Sequence, residues 1–162
     1  MKKLNAYIFA IAIFIADQVT KYAMLNIARI REVRQIEIIE IFNFTYVENR
    51  GISLGLLQAE DDLGRWLLVG ATAAIAAIVG WWMTRETQKW DQLGLAMILG
   101  GALGNIVDRV RFGYVVDFLD LHFGDFRPFY VFNIADAAIS IGVVILLIRA
   151  FFFAPAEENE HA

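Results

Sequence analysis

From Trp66 to Thr84 the chain carries no charged side chain. At about 1.5 Å of rise per residue, a helix over that stretch nearly matches a hydrocarbon core of roughly 30 Å. Three further segments follow the same logic. Gln92 to Val107 is uncharged and continues through Asp108 and Arg109 to about Phe112, and Asn133 to Phe153 is apolar apart from Asp136 and Arg149. The remaining segment starts after Lys2 and Lys3, is uncharged from Leu4 to Ala16, and continues through Asp17 and Lys21 to about Leu25. A hydrophobic fraction of 59% and a mean hydropathy of +0.54 place the chain above soluble domains, which are roughly half apolar. The reading is a single membrane all-α domain of 162 residues. Its spans are expected at about 4–25, 66–84, 92–112 and 133–153, and its loops at 26–65 and 113–132 lie on one side.

A cleaved secretory signal is the alternative for the first segment, which has a basic start and an apolar run of suitable length. Its only Ala-x-Ala, Ala10 to Ala12, falls inside that run, and a carboxylate follows where small residues should lead into a cleavage site. A retained helix is therefore expected. In the first loop, Arg34 to Asn49 is rich in β-branched and aromatic residues with partial alternation, which suits one or two strands at the membrane surface. Asn49-Arg50-Gly51 reads as a turn.

Composition removes several chemistries. A net charge of -4 gives no basic footprint for nucleic acid. The absence of cysteine excludes disulfides and thiolate nucleophiles, and two distant histidines build no transition-metal site without several carboxylates. No metal or cofactor is expected.

Four antiparallel crossings bring the end of span one, the first loop, the end of span three, the third loop and the start of span four to one membrane face. Asp17, Lys21, Asn49, Asn105, Asp108, Arg109, Asp117, Asn133 and Asp136 all fall at or near that face. Ionisable groups at membrane depth are costly, so they are usually paired, turned inward and functional. Asp17 and Lys21, four apart on a helix, read as an ion pair that supports the end of span one. Arg109, four residues after Asn105, either snorkels to headgroups or holds a polar substrate from within the bundle. Asp108 points to another part of the helix surface, so a local salt bridge or an interfacial position is its expected role, outside the site. Gly100-Gly101-Ala102-Leu103-Gly104 reads as close helix packing, Trp66, Trp81, Trp82 and Trp90 as interfacial anchors, and His122 as a solvated or headgroup-level residue.

Asp117 follows span three across the short linker Gly113 to Val116, and Asp136 lies in the first turn of span four, three residues after Asn133. Taken singly, loop solvation would explain Asp117 and helix capping would explain Asp136. Within the cluster the two form a candidate dyad. Two carboxylates held close in a low-dielectric setting do not both ionise easily, so one keeps a proton and the other is charged, which supplies an acid and a base.

Asn49-x-Gly51, Gly100-Gly101-Ala102-x-Gly104-Asn105-x-x-Asp108-Arg109, Val115-Val116-Asp117-Phe118 and Phe132-Asn133-x-Ala135-Asp136 together resemble the ordered signatures of bacterial lipoprotein signal peptidase, the type II signal peptidase. The resemblance runs from Asp17-x-x-x-Lys21 into the last span. It implies an aspartic endopeptidase of the bacterial inner membrane that removes the signal peptide from diacylglyceryl-modified prolipoproteins, cutting before the lipidated cysteine. By that resemblance Asp117 and Asp136 are the catalytic pair, Asn49, Gly51, Asn105, Arg109 and Asn133 line the active site, and Asp17 with Lys21 supports it. It further implies a small periplasmic β-sheet, a short surface helix at Ile52 to Gln58, cytoplasmic termini and an active site toward the periplasmic face. Membrane lipids and globomycin-type inhibitors are implied as further ligands. The chain departs from the pattern at Ile52-Ser53-Leu54, where many members carry small residues and Phe, and at Ala137, where Ser is frequent.

The orientation rests partly on the resemblance, because arginines are numerous on the loop side and a raw basic count would put that side in the cytoplasm. A rival reading is a proton-coupled carrier or channel component that uses the same carboxylates. A third, a noncatalytic scaffold, leaves the one-sided Asn and Asp cluster without a task.

Overall fold

The computed structural model describes residues 3–51, 62–124 and 126–153. In chain order these form α1 (Lys3–Tyr22), prolonged by a π-helical turn (Ala23–Ile27), then α2 (Ile30–Val33), β1 (Gln35–Ile39), β2 (Phe42–Asn49), α3 (Asp62–Arg85), α4 (Lys89–Phe112), β3 (Val115–Leu121) and α5 (Ile134–Phe152). Among the described residues four helices are long and apolar enough to cross a membrane: α1 with its π-helical turn, α3, α4 and α5. The surface helix expected at Ile52 to Gln58 lies outside the described residues.

α4 is the centre of the bundle. It has the lowest hydropathy of the four, 1.4, yet 61% of its apolar stretch is buried, against 17–28% for the others. The two facts have one cause: a helix walled in by protein can carry polar side chains, whereas helices that face lipid must be apolar over most of their circumference. Close approach comes from its small residues. A Cβ at Gly100 would strike the carbonyl oxygen of Ala10 in α1, and one at Gly101 would strike that of Ala135 in α5. The expected packing role of this segment is what the helices use. Ala6, Ala10, Ala76, Val79, Met83, Leu95, Ala96, Leu99 and Ala102 form the buried apolar core around it.

The strands form one antiparallel sheet in the order β1-β2-β3. The first loop thus holds two strands, within the expected one or two. β3 corrects the sequence reading, which placed Asp117 beyond a linker and allowed it loop solvation. Val115–Leu121 instead pairs with β2, with Asn49 opposite Val115 and Val47 opposite Asp117. The strand is buried on both sides: Val116 and Phe118 pack with Met24, Ile30, Tyr46 and Tyr114, while Asp117 faces the other way and is 1% exposed. Burial on both faces removes the clean polar alternation that marks a half-buried strand. Gly113, in the left-handed region at φ 85°, closes α4 by donating its N–H to the carbonyl of Arg109 (3.1 Å) and turns the chain into β3.

Candidate active site

Asp117 enters the site from the middle of β3 and Asp136 from the first turn of α5. The groups that hold them are amides. Asn133 is the N-cap of α5: its Oδ1 accepts the backbone N–H of Asp136 (2.9 Å), which leaves its Nδ2 to donate to Asp117 Oδ1 (2.6 Å). Asn49, at the end of β2, accepts the Gly51 N–H on Oδ1 (3.1 Å) and donates from Nδ2 to Asp117 Oδ2 (3.0 Å). Asn105, on α4, donates from Nδ2 to Asp136 Oδ1 (2.8 Å), while its Oδ1 lies 3.3 Å from both Lys21 Nζ and Asn133 Nδ2. In each amide a donor on the oxygen side fixes which end faces the carboxylate.

Burial pushes the Asp117 carboxyl up to about 8, and the charge of Asp136 acts in the same direction. The Asn49 and Asn133 hydrogen bonds and the Lys21 charge oppose the rise without cancelling it. Among the described residues neither Asp117 nor Asp136 forms an ion pair. Asp136 is half-buried, and its second oxygen carries no hydrogen bond among the described residues.

Arg109 is buried, and its guanidinium donates to the Gly51 carbonyl (2.9 Å), so of its two expected roles snorkelling is removed. Its Nε is buried and has no partner among the described residues. Arg65, at the start of α3, donates to the carbonyls of Arg109 (2.8 Å) and Val110 (2.6 Å) and so caps the end of α4 that carries Arg109.

Beneath the pair lies a closed ionic cluster. Lys21 Nζ is 2.9 Å from Asp17 Oδ2, the pair expected from their spacing, and 2.8 Å from Asp108 Oδ2. Asp17 Oδ1 accepts the Ala135 N–H at the start of α5 (3.0 Å), and Asp108 Oδ2 accepts the Val116 N–H (3.1 Å), one residue before Asp117. The expectation for Asp108 is therefore corrected. It is 1% exposed, neither interfacial nor locally paired with Arg109, and it ties α1, α4 and β3 together. Gln18, which the sequence reading did not single out, joins the cluster through Nε2 to Asp17 Oδ2 (3.2 Å), Asp108 Oδ1 (3.1 Å) and the Gly104 carbonyl (3.3 Å). A polar side chain beside Asp17 in an apolar helix was the available signal. His122 also differs from expectation: it is half-buried, with Nε2 2.7 Å from Asn43 Nδ2, because β3 carries it against β2.

The family model described as Signal peptidase (SPase) II matches residues 9–152. Lipoprotein signal peptidases of Sphingopyxis alaskensis and Rhizorhabdus wittichii are 57% and 52% identical; the alignments cover 88% and 87% of this chain and 83% and 82% of those proteins. Two solved structures, described as bacterial membrane enzymes determined by the in meso method at 2.3 Å and 1.9 Å resolution, superpose with TM-scores of 0.79 and 0.77. They are 27% and 29% identical to this chain, covering 98% and 93% of it and 94% of each of their own chains. Four helices long and apolar enough to cross a membrane, a small antiparallel sheet and a family match over nearly the whole length lead to one statement: this chain belongs to the signal peptidase II family.

Proposed function

We propose that Asp117 and Asp136 are the catalytic dyad of an aspartic endopeptidase that removes the signal peptide from diacylglyceryl-modified prolipoproteins, cleaving just before the lipidated cysteine. Family membership supports the processing of prolipoproteins, since the relatives carry the name lipoprotein signal peptidase. The observation that carries the chemistry is that both carboxylates are held by neutral amides rather than by cations.

With no counter-ion bonded to it among the described residues and the second carboxylate acting on it, Asp117 is the member that keeps the shared proton near neutral pH. Asp136, with an oxygen free of hydrogen bonds among the described residues, is the base. It takes a proton from water as the water oxygen forms a bond to the scissile carbonyl carbon, and the Asp117 hydroxyl donates to the developing oxyanion. Collapse of the tetrahedral species breaks the C–N bond, and the proton gained by Asp136 goes to the departing amine. Asn49, Asn105 and Asn133 hold the pair in register, Gly51 fixes the Asn49 amide, and Arg109 offers its buried Nε to a polar group of the substrate. Asp17 and Lys21 support the floor of the site. The reading places the protein in the bacterial inner membrane with cytoplasmic termini and a periplasmic active site.

The test uses purified protein and a diacylglyceryl-modified prolipoprotein. Asp117→Asn and Asp136→Asn, each nearly isosteric but unable to ionise, are expected to lower cleavage by about 10²–10⁴-fold or more. Cleavage that survives either change overturns the dyad. Equal cleavage of a substrate with an unmodified cysteine would contradict the lipid requirement alone.

A further inference from the structure

The end of the bundle that carries the aspartates also carries a platform of arginines. Arg31 and Arg34 follow the end of the first span at Ile27, Arg50 follows β2, and Arg111 lies in the last turn of α4. All four are exposed. Arg50 is paired with Glu48 (2.8 Å), but among the described residues Arg31, Arg34 and Arg111 meet no carboxylate. They lie on aromatic rings instead, and Arg31 also donates its Nε to the Tyr46 hydroxyl (3.1 Å) and its Nη2 to the Tyr114 hydroxyl. Arg31 and Arg34 sit 5.7 and 5.3 Å from the Tyr46 ring centre, Arg50 5.7 Å from that of Tyr114, and Arg111 4.9 Å from that of Phe112. Phe112 stacks on Tyr114 (6.0 Å, 26°), and the hydroxyls of Tyr114 and Tyr46 meet at 3.1 Å, so the rings make one continuous cluster, with the two tyrosines buried beneath the arginines.

A guanidinium set over a ring keeps edge N–H groups for a planar or tetrahedral oxyanion, the geometry that recognises phosphate; among the described residues Arg34 and Arg111 keep theirs whole, and Arg31 keeps Nη1. Four exposed arginines around one carboxylate, Glu48, which pairs with Arg50, leave a surplus of positive charge that calls for an anionic counterpart from outside the chain. Arg34 is held at φ 66°, in the left-handed region where glycine or asparagine would be the easier residue, so the position carries arginine despite its backbone. The platform adjoins the ends of two spans, at the level where headgroup phosphates sit.

We propose that Arg31, Arg34 and Arg111, mounted on Tyr46, Tyr114 and Phe112, bind the phosphate of anionic phospholipids in the leaflet that the aspartates face. This inference does not rest on the dyad. It gives the surplus of basic residues at this end a binding task, where a simple basic count would read a cytoplasmic address.

The test is native mass spectrometry of the full chain released from nanodiscs that mix phosphatidylcholine with phosphatidylglycerol. The wild type is expected to retain phosphatidylglycerol preferentially. Arg34→Gln with Arg111→Gln, at two arginines whose side chains make only ring contacts among the described residues, is expected to weaken that preference by roughly fivefold per arginine. Arg34→Lys with Arg111→Lys keeps the charge and is expected to retain most of it, while Arg85→Gln with Lys89→Gln at the opposite end leaves it unchanged. Equal retention of the two lipids by the wild type overturns the proposal, as does an unaltered preference in the glutamine variant or an equal loss in the opposite-end variant. Displacement of the lipid by excess inorganic phosphate would show a soluble-anion site and overturn it as well.

Discussion

Two pairs of aspartates lie within the same end of this bundle, and their surroundings differ in one respect. Asp17 and Asp108 share a lysine, whereas Asp117 and Asp136 are held by asparagines. In the first pair Lys21 offsets part of the charge, and the remaining carboxylate oxygens accept backbone and glutamine N–H groups, which makes a closed structural joint. In the second, amides orient the carboxylates without neutralising them, so the pair must manage its charge with a proton. On the proposed reading, the same residue type is a strut in one place and an acid–base device in the other, according to the partner placed beside it.

Removing the lysine breaks the comparison most severely. Lys21→Met leaves two buried carboxylates without a cation and is expected to cost about 3–5 kcal/mol, read as a large drop in thermal unfolding in detergent. An unchanged midpoint would mean that the lower cluster is not a joint. Gly104→Ala reaches the same joint sterically, because a Cβ there would strike Asp17 Oδ2. Overpacking of this kind costs about 1–3 kcal/mol, and the same unfolding experiment checks it. Asn105→Ala probes a side chain that links the two pairs, through the lysine of the first and Asp136 of the second. It is expected to destabilise by about 1–3 kcal/mol, from unmet polar groups, and to lower kcat for prolipoprotein cleavage. A stability loss with full kcat would separate the pairs.

A separate test is one of pH. Because folding raises the Asp117 carboxyl from 3.8 to about 8, the folded chain binds more protons than the unfolded one between those values. Stability should therefore fall as pH rises across that window and level off above it. Asp117→Asn should flatten this slope in unfolding measured against pH. An equal slope in the variant would assign the dependence to other groups. Cleavage by the wild type should likewise fall as pH rises through about 8, when the shared proton is lost.

How much of this was legible in the sequence follows from which interactions are local. Long uncharged segments announce spans because lipid tolerates little else, and Asp17 with Lys21 is legible from spacing along one helix. The four spans and the presence of strands in the first loop were read in this way. Asp108 was misjudged because its partners, Lys21 and the Val116 N–H, lie across the bundle and beyond a turn, where helical spacing along α4 gives no guidance. β3 was missed because burial of both faces mixes Val, Asp and Leu without a clean period. The amide network could be named by resemblance, but which amide end faces which carboxylate is set by tertiary donors such as the Gly51 N–H.

The most direct measurement is infrared difference spectroscopy of the protonated carboxyl stretch in wild-type protein, Asp117→Asn and Asp136→Asn. A band present at neutral pH, absent from Asp117→Asn, lost from the wild type as pH passes about 8, and lost at lower pH in Asp136→Asn is the expected result. An Asp117 that is ionised throughout the neutral range, whether or not Asp136 is charged, would contradict the sharing of one proton between them.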